Sequence, residues 1–305
     1  MKTTRQILST VCAALFILAA CQPVEFEEIS GRGNSKNAND SVWFLTVQAT
    51  KNLDTKALTL VPGTSDNPND QLNAYWADNA PVKVYKGNTC VGTLKATPDE
   101  TNSALATLSG EVTVSGLNVD DKLTLMVPSD TWAYTGQVGT IAGISDKFDY
   151  ATATVTINDI SGNNITTSGA VFANEQSIYR FGFKKGGNYI HPKDFVVSAS
   201  GNQLVQSRSW SGSAWTSTYG SITVTPASAP ADHFYYVSLR NESTAENTYR
   251  FIVIGSNDEL YLASKTIPAS VLDVPGKFIS AKEIAVSQPS FAPASGTIDK
   301  AEDVF

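Results

Sequence analysis

From Trp43 to Thr50 the chain alternates, with Trp43, Leu45, Val47 and Ala49 on one face and mostly polar groups on the other. Tyr150 to Asn158 repeats the pattern, setting Ala151, Ala153, Val155 and Ile157 against Thr152, Thr154 and Thr156. A period of two with one wet face marks a half-buried antiparallel strand. Similar runs occur at Pro81–Tyr85, Glu111–Ser115, Lys122–Val127, Ser177–Phe183, Asp194–Ser198 and Ser221–Thr225. They continue at Phe234–Leu239, Thr248–Ile254, Glu259–Ala263 and Phe278–Val286. Turn residues such as Pro62-Gly63, Ser161-Gly162-Asn163-Asn164 and Lys185-Gly186-Gly187-Asn188 separate them. No amphipathic helix longer than two turns stands out. Short strands punctuated in this way predict an all-β protein built of β-sandwiches. The polar stretch Ser168–Glu175 divides the strands into two sets of about 130 residues, each enough for a sandwich.

The first segment is an address. Lys2 and Arg5 precede an apolar run from Val11 to Ala20, too short for the roughly 20 residues that a membrane span needs. Leu18-Ala19-Ala20-Cys21 follows and resembles a bacterial lipobox. That resemblance implies lipidation of Cys21, which becomes the mature N-terminus. Gln22 stands where an inner-membrane retention Asp would stand, so export to the outer membrane is implied. Glu25, Glu27 and Glu28 resemble the acidic surface-export signals of Bacteroidetes lipoproteins. The expected organisation is a signal peptide over 1–20, a linker with a removable strand over 21–40, and sandwiches over 41–170 and 171–305. The second sandwich carries a C-terminal tail.

Composition narrows the function. Charged residues make up 17% of the 305 positions and apolar ones 42%, a balance that supports a substantial core and excludes an acidic disordered chain. The net charge of −7 excludes general affinity for nucleic acid phosphates. His191 precedes Pro192 in a turn and His233 opens a strand, with no second ligand at metal spacing in the sequence. There is no glycine-rich phosphate loop, no Gly-x-Ser-x-Gly elbow and no His-Glu-x-x-His. Asp120-Asp121 and similar pairs lie in polar turns. The expectation is a non-enzyme with no cofactor and no metal.

Several phrases of the second half resemble the fimbrillin family, the pilins of Bacteroidetes type V pili. They are Ala173-Asn174-Glu175-Gln176-Ser177-Ile178-Tyr179-Arg180-Phe181-Gly182-Phe183, Gly220-Ser221-Ile222-Thr223-Val224-Thr225-Pro226 and Tyr236-Val237-Ser238-Leu239-Arg240-Asn241. Thr248-Tyr249-Arg250-Phe251-Ile252-Val253-Ile254, Leu260-Tyr261-Leu262-Ala263-Ser264-Lys265 and Gly276-Lys277-Phe278-Ile279-Ser280 follow in order. Asn73-Ala74-Tyr75-Trp76 and Leu125-Met126-Val127-Pro128 add to them in the first half. The resemblance implies two tandem transthyretin-like, Greek-key sandwiches and transport as a lipoprotein. It also implies trimming after an Arg and polymerisation by strand exchange. Arg32, followed by Gly33, sits where that trimming is expected.

Cleavage there would release Val24, Phe26 and Ile29, the anchors of the removable edge strand, and expose a template for another chain. A strand from the next subunit filling it with four buried apolar anchors would contribute about 6–12 kcal/mol gross, against an association cost of about 4–15 kcal/mol. Exchange therefore needs a preformed groove or extended backbone pairing. Candidate donor anchors lie near the C-terminus: Phe278, Ile284, Val286, Ile298, Val304 and Phe305. The expected function is a structural or accessory subunit of surface fimbriae at the outer membrane, supporting cell adhesion. Its expected partners are other pilin subunits, membrane lipid through Cys21, and a host or bacterial surface ligand. The alternative is a glycan-binding surface lipoprotein, in which Trp210, Trp215 and Tyr219 at a hairpin stack against sugar. Trp132 and Tyr134 form a second aromatic group. Packing of the rings across the hairpin competes with that reading.

Overall fold

The computed structural model describes residues 41–51, 58–61, 71–243, 245–272 and 275–289. The first strands in chain order are β1 (Ser41–Lys51), β2 (Leu58–Val61), β3 (Gln71–Ala74), β4 (Pro81–Lys86) and β5 (Thr89–Pro98). Next come β6 (Leu105–Val114), β7 (Lys122–Val127), β8 (Thr131–Ala133), helix α1 (Ile141–Lys147) and β9 (Ala151–Ser161). β10 (Asn164–Thr167) and β11 (Ala170–Asn174) complete the first sheet, and β12 (Ser177–Lys185) begins the second half. β13 (Asn188–Ile190), β14 (Pro192–Ala199), β15 (Val205–Trp210), β16 (Trp215–Tyr219) and β17 (Ile222–Val224) follow. The last elements are β18 (Tyr235–Leu239), β19 (Asn247–Gly255), β20 (Leu260–Ile267), helix α2 (Ala269–Leu272) and β21 (Phe278–Ala285). The protein is all-β, with several sheets.

The alternation read along β1 and β9 is observed. Leu45, Val47 and Ala49 of β1, and Ala151, Ala153, Val155 and Ile157 of β9, are buried in one core. Lys51 continues the buried parity of β1, donating from Nζ to the Tyr75 carbonyl at 2.8 Å and lying over the Trp76 ring at 3.8 Å. Helix α1 starts where Thr140 accepts a hydrogen bond from the Gly143 amide at 3.0 Å, satisfying an end donor that the helix cannot.

The first sheet closes on itself. β1 pairs antiparallel with β6 along its length and parallel with β10 and β11 on its other side. The circuit then runs β11–β9–β7–β4–β5–β6 and returns to β1. Each strand of that ring has partners on both sides, so closure removes the sheet borders. The polar stretch around residue 170 is strand β11 of this ring, because Ala170 and Phe172 point inward from an alternating segment. Gly92 is required where β5 crosses β6: a Cβ there would collide with the Glu111 carbonyl and the Val112 backbone.

The second half carries β18 and β13 on one side of β12 and β21 on the other, with a separate sheet β17–β14–β19–β20. Its core is aromatic, with Phe181, Phe183, Phe195, Tyr235 and Phe251 packed largely edge to face. Trp132, Tyr134 and Tyr150 from the first half join this core. A third cluster gathers Leu72, Ile144 and Phe148 against Ile178 and Tyr236. By backbone contacts the described residues belong to one compact unit.

Candidate functional site

Three features of the second half could carry function: its open border, the aromatic hairpin and a pair of histidines. The border comes first. The two sheets meet on one side through the segment after β8, where the Thr225 amide donates to the Gln137 carbonyl at 3.0 Å and the Tyr236 amide to the Gly139 carbonyl at 2.9 Å. On the other side they meet between Leu262 of β20 and Ser287, which exchange both backbone hydrogen bonds at 2.8 and 3.0 Å. Toward the far end of β20 a groove of 730 Å³ opens beside α2 and β21. Lys265, Thr266, Ile267 and Val271 line it on one side, and Ile279, Ser280 and Glu283 on the other.

β21 runs parallel to β12 and is held by side chains as well as by the ladder. Glu283 pairs with Lys184 at 2.5 Å and accepts from the Tyr189 hydroxyl at 2.6 Å. These contacts hold Glu283 below the usual carboxylate range, the Lys184 bond being the larger cause. Arg180 donates to Ser280 at 2.9 Å. Of the candidate donor anchors, Ile284 and Val286 are buried in the chain's own aromatic core, and Phe278 packs partly buried against the third cluster. Ile298, Val304 and Phe305 lie outside the described residues, as do Cys21, Val24, Phe26, Ile29, Arg32 and Gly33.

The aromatic hairpin is β15–β16, with Trp210 directly opposite Trp215. The two ring planes are inclined by 54°, so they do not form one flat platform. Trp215 lies against the buried Trp132 at 3.9 Å, and Trp132 stacks on Tyr150 at 5.1 Å. Tyr219 is exposed and donates to Glu242. The sequence offered no sign that Trp132 lies beneath the hairpin, because strand pairing between β8 and β15 brings it there from 76 positions away.

Under the hairpin sits an ion network. Glu175 pairs with Arg240 at 2.7 Å and Arg208 at 3.2 Å, while Glu242 pairs with the same two guanidiniums at 3.3 and 3.5 Å. Arg208 has 8% of its side chain exposed and lies over the Trp215 ring at 4.7 Å. Burial lowers its basicity, and Arg240 adds to that, while the two carboxylates oppose it. Burial raises Glu242, but the Tyr219 hydroxyl and the two guanidiniums outweigh it and hold the carboxyl below its ordinary value. Its contacts span β15, β16 and the ends of β11 and β18, which is a locking role.

The sequence sets His191 in a turn and His233 at a strand start, 42 positions apart. The fold brings them together: His233 Nδ1 lies 3.2 Å from His191 Nε2, and His191 Nδ1 lies 3.3 Å from the Tyr235 hydroxyl.

No protein-family model matches the chain, and no curated protein matches it. Solved structures do. A candidate cell adhesion protein from Bacteroides uniformis is similar at 13% identity and a TM-score of 0.41, over 74% of this chain and 98% of that one. A candidate adhesin from Bacteroides ovatus is similar at 11% identity and a TM-score of 0.41, over 80% and 87%. A fimbrial assembly protein from Parabacteroides distasonis is similar at 10% identity and a TM-score of 0.36, over 81% and 94%.

Proposed function

We propose that the protein is a non-catalytic structural or accessory subunit of surface fimbriae, exported as a lipoprotein through Cys21 and assembling by strand exchange in support of adhesion. In this reading the two large cores are the tandem transthyretin-like sandwiches that the fimbrillin resemblance implies. The observation that carries it is the border at β21. The C-terminal strand β21 pairs along one side with β12, it and the residue after it insert Ile284 and Val286 into the core, and among the described residues Ser287 bridges to Leu262 of β20. A strand in that position can leave its own sheet and complete a neighbour's, since a copy of the same groove receives the same anchors. Among the described residues the ring of the first sheet is closed, which turns attention to the border at β21 in the second half.

A reversible staple tests this. Leu262 and Ser287 face each other as a hydrogen-bonded antiparallel pair, whose Cα atoms are about 5.5 Å apart in general, within the reach of a disulfide. Leu262→Cys with Ser287→Cys, oxidised, is expected to stay monomeric, and reduction is expected to restore ladders on denaturing gels of unboiled surface material. Ladders that form equally well with the staple closed would refute exchange at this border.

A further inference from the structure

The chain has two histidines, and the fold places them in hydrogen-bond contact although 42 positions separate them. We propose that His191 and His233 form a two-imidazole clip for a borderline divalent transition-metal ion, Cu2+ foremost. The clip joins the β13–β14 turn to the loop before β18 and leaves the remaining coordination positions to water.

The first argument is the bite. Two imidazole nitrogens bound to one ion at about 2.0–2.1 Å, at angles of about 90–110°, stand about 2.9–3.4 Å apart. His191 Nε2 and His233 Nδ1 are 3.2 Å apart, inside that range, so the separation suits one ion once the rings turn their lone pairs toward it. The second argument is preorganisation. His191 Nδ1 lies 3.3 Å from the buried Tyr235 hydroxyl, an outer partner that orients the imidazole and can accept its Nδ1–H. His233 is clamped by the Tyr189 ring, stacked at 4.3 Å with planes 18° apart, and its backbone is in the left-handed region at φ 65.

The proton balance is simple. With Nδ1–H of His191 directed at the Tyr235 oxygen, Nε2 of His191 presents a lone pair and accepts from Nδ1–H of His233. When the ion enters, the His233 proton moves through solvent from Nδ1 to Nε2, and both facing nitrogens become donors to the metal. Neighbouring carboxylates are already engaged. Asp232 accepts from the Phe234 amide and the Tyr236 hydroxyl, both at 3.2 Å, and Glu283 is held by Lys184 and Tyr189. Two imidazoles with solvent favour Cu2+ among first-row divalent ions.

The test titrates Cu2+ into the full chain, made without a polyhistidine tag and held in detergent, followed by calorimetry and electron paramagnetic resonance. One ion per chain is expected, with coupling to two imidazole nitrogens. Because the chain has no other histidine, that signature has one source. His191→Gln and His233→Asn should each weaken binding at least about tenfold and reduce the coupling to one nitrogen, and Tyr235→Phe should weaken it about 10–100-fold. Asn tolerates the left-handed backbone at 233, so the second variant keeps the loop. Affinity unchanged in either histidine variant, or no binding beyond that of the double variant, would overturn the clip.

Discussion

Gln137 grips the backbone of Ser238 at both ends. Its Oε1 accepts from the Ser238 amide at 2.8 Å while its Nε2 donates to the Ser238 carbonyl at 2.7 Å. A side-chain amide has one donor group and one acceptor in a plane, so it imitates a neighbouring strand where none is present. Both residues are fully or almost fully buried, at 1% and 0% exposure. Gln137 thereby fastens the end of the first half to β18 and, through its own carbonyl, to Thr225 beside β17.

Gln137→Ala should therefore be costly. It strands an amide and a carbonyl where water is excluded, at about 1–3 kcal/mol for each group. In urea unfolding the midpoint should fall with little change in slope. A variant as stable as the parent would show that the grip is dispensable.

The ion network predicts a pH response. Glu242 is held below its ordinary value of 4.5 in the folded protein. A depressed carboxyl contributes stability in full above its unfolded value and loses it as the pH falls through the folded value. The stability gap between parent and Glu242→Gln should be widest near neutrality and should close as the pH drops below 4.5. Asp99, Asp121 and Glu283 are also held low, so the variant keeps part of the acid sensitivity. A gap that does not change with pH in thermal melts would exclude Glu242 as a contributor.

Gly212 caps the aromatic hairpin at φ 91, and a Cβ there would occupy the position of Asn88 in the β4–β5 turn. Gly212→Ala should destabilise by about 1–3 kcal/mol through strain and the clash. Trp210 and Trp215 flank this tip, so intrinsic fluorescence should report its displacement. An unshifted emission maximum with unchanged stability would mean that the tip is not seated on the turn.

Arg32→Ala tests the processing step that the fimbrillin resemblance implies. Lipidated, unassembled protein is expected at the cell surface, and the N-terminus of the parent is expected at Gly33. Normal polymers from the variant would remove cleavage at this bond from the pathway.

Parts of these sites can be seen in the residues alone. The hairpin between Trp210 and Trp215 was visible because two β-type runs flank Ser211-Gly212-Ser213-Ala214. The buried Trp132 below it was not, and neither was the meeting of His191 with His233. The meeting of β20 with Ser287 was likewise hidden, since a strand's alternation says which side chains point inward and nothing about which backbone lies alongside.

Along β9 and β19 the inward residues follow from sequence alone, because a pleated strand with one dry face imposes a period of two on its own side chains. Closure of the first sheet by β1 is a different kind of fact. It depends on backbone groups common to every residue and on ladders joining segments about 60 to 120 positions apart. Gln137 on Ser238 and the two imidazoles at 3.2 Å belong to the same class. Their partners come together when sheets pack, and only the folded chain shows which ones meet.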